Sequence, residues 1–216
     1  MRQIGTTSKT KANEARASDH HLTTGPERRQ QLVLVAYRLI AEKGFEGLRT
    51  RDVADQVGIN HATLHYHFQT KEDLIKGVVD YLIEQFSSPN KGSATGDGSA
   101  MGLVRAEFAQ VRQFHKTPKM LVVLEELYLR ALRDRTIAKL LDDMEKGWHS
   151  YLVQALQRGV QQGVFRQDMD VDLGASVIMT MIKGIRTDAI RKSQQQIART
   201  TAVFQMQLER WLVGEK

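Results

Sequence analysis

The chain has 216 residues, 41% of them hydrophobic, with no cysteine and a formal net charge of +6. That length carries one large or two small domains with a sizeable core, and the lack of cysteine excludes disulfides and thiolate zinc sites and fits a reducing compartment. No uncharged apolar run reaches the roughly 18 residues of a membrane span, and residues 1–26 lack the apolar core of a signal peptide, so the expectation is a soluble, cytoplasmic protein with no membrane partner.

Residues 1–26 are polar and aperiodic and end at Gly25-Pro26. They read as a flexible arm, either inert or using Arg2, Lys9, Lys11 and Arg16 for phosphate or minor-groove contacts. From Glu27 to Lys43, Leu32, Val35, Ala36, Leu39 and Ile40 recur at helical spacing; Gly44 ends that helix and Phe45 folds back on the core. From Glu27 to Ser87 eight Lys/Arg stand against nine Asp/Glu, while residues 88–216 hold nineteen against fourteen. Bulk charge therefore does not mark this first region as a nucleic-acid binder. A positive face there needs Arg28, Arg29, Arg49, Arg51 and Lys71 to gather locally.

The stretch TRDVADQVGINHATLHYHFQTK, residues 50–71, reads as two short helices around a tight turn. In the first, residues 51–57, Thr50 is the expected N-cap and Val53, Ala54 and Val57 share a face. Gly58 stands where a chain leaving a helix needs a left-handed residue, Ile59 folds back as an apolar plug, and Asn60 caps the second helix. That helix, residues 61–68, buries Leu64 and Phe68 and turns His61, Ala62, Thr63, His65 and His67 outward. This is the helix-turn-helix pattern, whose second helix enters the DNA major groove.

A fourth helix follows, residues 71–87, capped by Thr70 and burying Leu74, Val78, Leu82 and Phe86. SSPNKGSATGDGS, residues 87–99, reads as a loop; without a Gly-Lys-Ser/Thr ending it is no phosphate cradle. Five amphipathic helices are then expected over 101–116, 118–133, 136–162, 171–192 and 194–213, with Pro118 in a first turn, Gly163 closing the long helix and Asp170 capping the next. No β alternation is sustained. The fold expected is all-α: an arm (1–26), an N-terminal three-helix helix-turn-helix domain with its connecting helix (27–87), and a larger helical ligand-binding and dimerisation domain (88–216).

The run AYRLIAEKGFEGLRTRDVADQVGINHATLHYHFQTKEDLI resembles the TetR (tetracycline repressor) family of transcriptional regulators, through Ala36, Phe45, Gly58, the segment Thr63 to Phe68, and Lys71 to Leu74. The resemblance is strong over 29–87 and weaker beyond, where LYLRALRDRTIAKLL and GVFRQDMDVD look like phrases of the family's ligand-binding domains. It departs at His65, where the family usually carries a tyrosine that often touches the DNA backbone. The resemblance implies a homodimer on a palindromic double-stranded DNA operator, released by an unidentified small-molecule effector bound in the C-terminal domain.

For DNA contact the leading residues are Thr50 and Arg51 on phosphate or a guanine edge, and Asn60, His61, Ala62 and Thr63 on base edges. His65, Tyr66, His67 and Lys71 are assigned to phosphates. His61 and His65 at i, i+4 have a metal-ligand spacing but no third ligand on that face, so no metal or other cofactor is expected. Protonating these histidines should strengthen phosphate binding. Phe108, Val111, Phe114, Met120, Leu124, Tyr128, Met144, Trp148, Tyr151, Leu152 and Met179 are either plain core or the lining of an apolar pocket, with Glu125, Glu126, His115 or Arg130 as a polar anchor. Ile178, Met181, Ile182, Ile185, Phe204, Leu208 and Trp211, on the last two helices with Gly174, Ala175 and Gly184, are expected in an intermolecular four-helix bundle. No hydrolase, zincin or dinucleotide motif occurs, so the chain does not read as an enzyme. The rival to a regulator is a helical small-molecule-binding protein without a DNA role.

Overall fold

The structure, a computed structural model, describes residues 24–92, 99–112 and 116–214. The arm as far as residue 23, and the expected ligand residues Phe114 and His115, lie outside the described residues. Among those described there are nine helices and no strand: α1 Gly25–Lys43, α2 Thr50–Val57, α3 His61–His67, α4 Lys71–Gly92, α5 Ala100–Val111, α6 Pro118–Ala131, α7 Arg135–Gln161, α8 Val171–Ala189 and α9 Gln194–Val213.

Several boundaries move. α1 starts at Gly25, so Gly25-Pro26 is its first turn and not the end of an arm. Thr24 accepts from the Glu27 amide while the Glu27 carboxylate accepts from the Thr24 amide at 2.9 Å, and Pro26 occupies a turn where no backbone N–H is needed. Thr50 is the first residue of α2, not its cap; Arg49 holds the cap position without a side-chain bond. α4 does not stop at Ser87 but runs to Gly92, through Pro89. α5 ends at Val111 and α8 at Ala189, five and three residues short of the expected 116 and 192. The capping predicted for α8 holds: Asp170 Oδ1 accepts from Leu173 N at 3.0 Å.

Two hydrophobic cores form. The first gathers Leu32, Val35, Ala36, Leu39 and Ile40 of α1 with Phe45, Val53, Ala54, Leu64, Phe68, Leu74, Val78 and Leu82, all buried as the periodicity predicts. It does not close on itself. Val123, Leu124 and Leu127 of α6 and Ile137 and Leu141 of α7 belong to the same cluster. The expected break between residues 87 and 88 thus does not divide the apolar core, since α6 lies against α1 and completes it. The second core joins α5, the C-terminal half of α7, Phe165, α8 and α9.

Glycine permits close packing at several places. At Gly77 of α4 a Cβ would come within 2.9 Å of the Val33 methyl, and at Gly174 of α8 within 3.0 Å of Leu156. Gly184, expected to pack closely as well, has nothing but its chain neighbours and its own helix backbone within 4 Å of where its Cβ would be.

Candidate nucleic-acid interface

The reading head is built by its turn. Gly58 takes φ 74°, ψ 33°, its N–H bonds to Asp55 O and the Ile59 N–H to Ala54 O, the paired reverse bonds that close a helix on a left-handed glycine. Ile59 then packs on the first core. Asn60 Oδ1 accepts from the Thr63 amide at 2.7 Å and from the Thr63 hydroxyl at 2.9 Å, which fixes the start of α3. Leu64 and Phe68 anchor α3 from below, and Arg29 of α1 stacks over the Phe68 ring at 4.5 Å.

What is left facing outward is a continuous polar surface. His61, Ala62, His65 and Tyr66 are exposed, Tyr66 to 85%, while Thr63 and His67 are half-buried. Three contacts organise it. Thr50 Oγ1 and His61 Nε2 are 3.1 Å apart and tie the first turn of α2 to that of α3. The His61 and His65 rings meet edge to face with centroids 4.4 Å apart. His65 Nδ1 lies 3.1 Å from the Gln69 carbonyl oxygen. Arg51 is exposed beside this surface. Lys71, assigned to phosphate, gives one donor of its ammonium to the Phe45 carbonyl at 3.2 Å, from a half-buried position at the start of α4. Its first duty is to hold α4 to the turn after α1.

The expected ligand residues divide between the two cores. Phe108, Val111, Leu152 and Met179 are buried in the second, with Trp148 and Tyr151 packed against it; Leu124 is buried in the first, with Tyr128 and Met144 on its edge; Met120 touches both. Of the expected polar anchors, Glu125 faces inward to Arg186 at 3.2 Å, Glu126 lies beside Gly44, and Arg130 pairs with Glu46 and Asp134.

Sequence reasoning missed two interior polar groups. Glu107 is buried on α5 and accepts from Trp148 Nε1 at 3.1 Å. Between α6, α7 and α8, Glu145 accepts from the Tyr128 hydroxyl at 2.6 Å and pairs with Lys183 at 2.6 Å, while Arg186 stacks on the Tyr128 ring at 5.0 Å. Burial, reinforced by the Glu145 bond, holds the Tyr128 hydroxyl well above its usual range. Burial pushes the Glu145 carboxyl up, but hydrogen bonds from Lys183 and Tyr128 outweigh it and leave the net shift downward. The available signal was a charge inside an apolar stripe: Glu107 between Val104 and Phe108, and Lys183 and Arg186 around Ile182 and Ile185. A polar groove of about 400 Å³ opens between α7 and α8 beside this group, lined by Lys146, His149, Ser176 and Lys183 among others. Of the expected pocket residues that are described, only Met179 lines it.

The expected dimer residues need correction. Ile178, Ile182, Ile185 and Leu208 are buried in the second core of their own chain, because the stripe counted as one face also supplies the intrachain seam between α8 and α9. Met181 and Trp211 are half-buried against that core. The apolar side chains left outward on these helices are Leu173 at 57% exposure, Val203 at 50%, and Phe204, Met206 and Val213.

Comparison with known proteins agrees with this architecture. The family described as "Bacterial regulatory proteins, tetR family" matches residues 32–78, and "BetI-type transcriptional repressor, C-terminal" matches residues 104–212. The HTH-type transcriptional repressor KstR2 of Mycobacterium tuberculosis is 29% identical over 150 residues, covering 68% of this chain and 73% of that protein. The fatty acid metabolism regulator protein of Bacillus subtilis is 24% identical over 169 residues, covering 76% and 84%. Among solved structures, Salmonella enterica GusR superposes with TM-score 0.74 at 20% identity, over 88% of this chain and 97% of that one. A transcriptional regulator from Saccharomonospora viridis in complex with choline gives 0.71 at 24% identity, over 88% and 100%. Two family matches spanning most of the chain, on a helix-turn-helix head with an outward polar reading surface, establish that the chain belongs to the TetR family of DNA-binding transcriptional regulators.

Proposed function

We propose that the chain acts as a homodimeric repressor that reads a palindromic operator with the α3 surface of each protomer and is released by a small molecule held among the C-terminal helices. The observation that carries the reading is the outward face of α3. Its side chains are preset by Asn60, Thr50 and Gln69 contacts, and Leu64 and Phe68 fix its height above the core. In this reading Arg51 and the Thr63 methyl contact base edges, and His65, Tyr66 and His67 contact phosphates.

A half-site reader needs a symmetric partner. The apolar side chains left outward on α8 and α9, with the open Gly184, suit an intermolecular bundle formed by Leu173, Val203, Phe204 and Met206. The two copies of α3 then stand about 34–36 Å apart or a multiple of it when bound. Coupling runs through the shared first core: α6 contributes Val123 and Leu127 to the head, and its Glu125 and Tyr128 belong to the polar junction with α7 and α8. A ligand that rearranges that junction shifts α6, and with it α1, provided that it prefers the non-binding arrangement.

Duplex binding by the purified protein over a salt series tests the regulator reading. Affinity should fall steeply as salt rises, and Arg51→Ala or Thr63→Ala should cost about 1–3 kcal/mol where either reads a base. Salt-independent or absent duplex binding would overturn it.

A further inference from the structure

We propose that His65 is a proton-gated phosphate contact, able to bond the DNA backbone only after its Nε2 has taken up a proton. The proposal rests on the reading of α3 as the DNA-facing helix and adds to it one atom and one condition. His65 Nδ1 lies 3.1 Å from the carbonyl oxygen of Gln69. A carbonyl oxygen only accepts, so the hydrogen of this bond sits on Nδ1. A neutral imidazole carries a single N–H, and here it is spent within the chain. The remaining nitrogen, Nε2, presents a lone pair. A phosphate oxygen has no proton to give, so neutral His65 has nothing to offer it. Protonation at Nε2 leaves the Gln69 bond intact and adds a charged donor on an exposed side chain.

The Gln69 carbonyl is held in place because Phe68, immediately before it, is buried and donates its N–H to Leu64 O at 2.9 Å. His61 differs in kind. Its Nε2 faces the Thr50 hydroxyl at 3.1 Å, a group that donates or accepts, so neutral His61 is free to keep its hydrogen on either nitrogen. The two rings meet edge to face with centroids 4.4 Å apart. The charged and titratable side chains on the elements that meet here are Arg29 of α1, Arg51, Asp52 and Asp55 of α2, Tyr66 and His67 of α3 itself, and Lys71, Glu72 and Asp73 of α4. Among the described residues neither imidazole forms an ion pair with any of them.

Binding should then take up a proton at each head. The test measures affinity for a duplex recovered by selection, over a salt series at about pH 5.8 and about pH 8.0. The proteins are wild type, His65→Gln, His65→Tyr and His61→Gln. Wild-type affinity should fall at least about threefold toward the higher pH, and the salt slope should shrink by about 0.9 per head. His65→Gln and His65→Tyr should reduce that response, the tyrosine because its hydroxyl donates at both pH values; His61→Gln should keep the part that His65 supplies. A response undiminished in both His65 variants, or one of opposite sign as for Nε2 accepting from a base amino group, would overturn the proposal alone. Failure of the wild type to bind any duplex at either pH would overturn the DNA-facing reading as well.

Discussion

Arg130 of α6 donates through Nη1 to the Glu46 carboxylate at 3.0 Å, in the turn that leaves α1, so the body of the molecule grips the reading head directly. Lys119 and Glu42 make a second such bridge at 2.9 Å. Glu46 is nearly fully exposed, and exposed pairs add little, about 0–1 kcal/mol. The apolar seam beneath them is the stronger attachment. Arg130→Ala should leave the denaturation midpoint almost unchanged, whereas Leu127→Ala, which opens the shared core, should cost about 2–5 kcal/mol. Urea unfolding of the two variants checks the order.

Asn60 serves α3 twice, by capping its first turn and by holding the Thr63 hydroxyl. Asn60→Ala should lower stability by about 1 kcal/mol and weaken duplex binding further through a loosened helix start. Asn60→Asp restores the cap and should restore stability in a thermal melt, while its added negative charge keeps duplex binding weak.

Phe165 lies against Gly159 so closely that any side chain on the glycine would overlap its ring. Gly159→Ala should therefore destabilise by about 1–3 kcal/mol or more through overpacking. Combining it with Phe165→Leu should relieve part of that cost, so the two changes will be non-additive in a double-mutant cycle.

Glu145 is held below its ordinary pKa of 4.5 in spite of burial, through its bonds to Lys183 and Tyr128. A depressed folded-state value means that its stabilisation is present above the unfolded value and is lost as pH falls through the folded one. Glu145→Gln should lower stability near neutrality and flatten the decline of stability below about pH 4.5, which is read from unfolding midpoints across that range. An unchanged acid limb would remove Glu145 from this role.

The sequence carried the head in detail, because its signals are local: Gly58 at the left-handed position, Asn60 one turn before Leu64, and Leu64 and Phe68 at i, i+4. It misplaced what depends on distant partners. Periodicity finds the apolar stripe of α8 but does not say whether Ile178 and Ile185 meet α9 of the same chain or a second copy, and the fold assigns them inward. Nor could spacing show that Leu127, far along the chain, completes the core begun by Leu32. Nor could it show that the Lys71 ammonium bonds the Phe45 carbonyl, from another turn.

The central claim is that the outward side chains of α3 enter a DNA groove twice per symmetric pair of chains. Selection of bound duplexes from a random pool with the purified protein tests it most directly. The account predicts a palindromic sequence whose half-site centres lie about 10 base pairs apart or a multiple of that, with the preference relaxed at the contacted position in Thr63→Ala or Arg51→Ala. No enrichment, or an enriched sequence without two-fold symmetry, would contradict it.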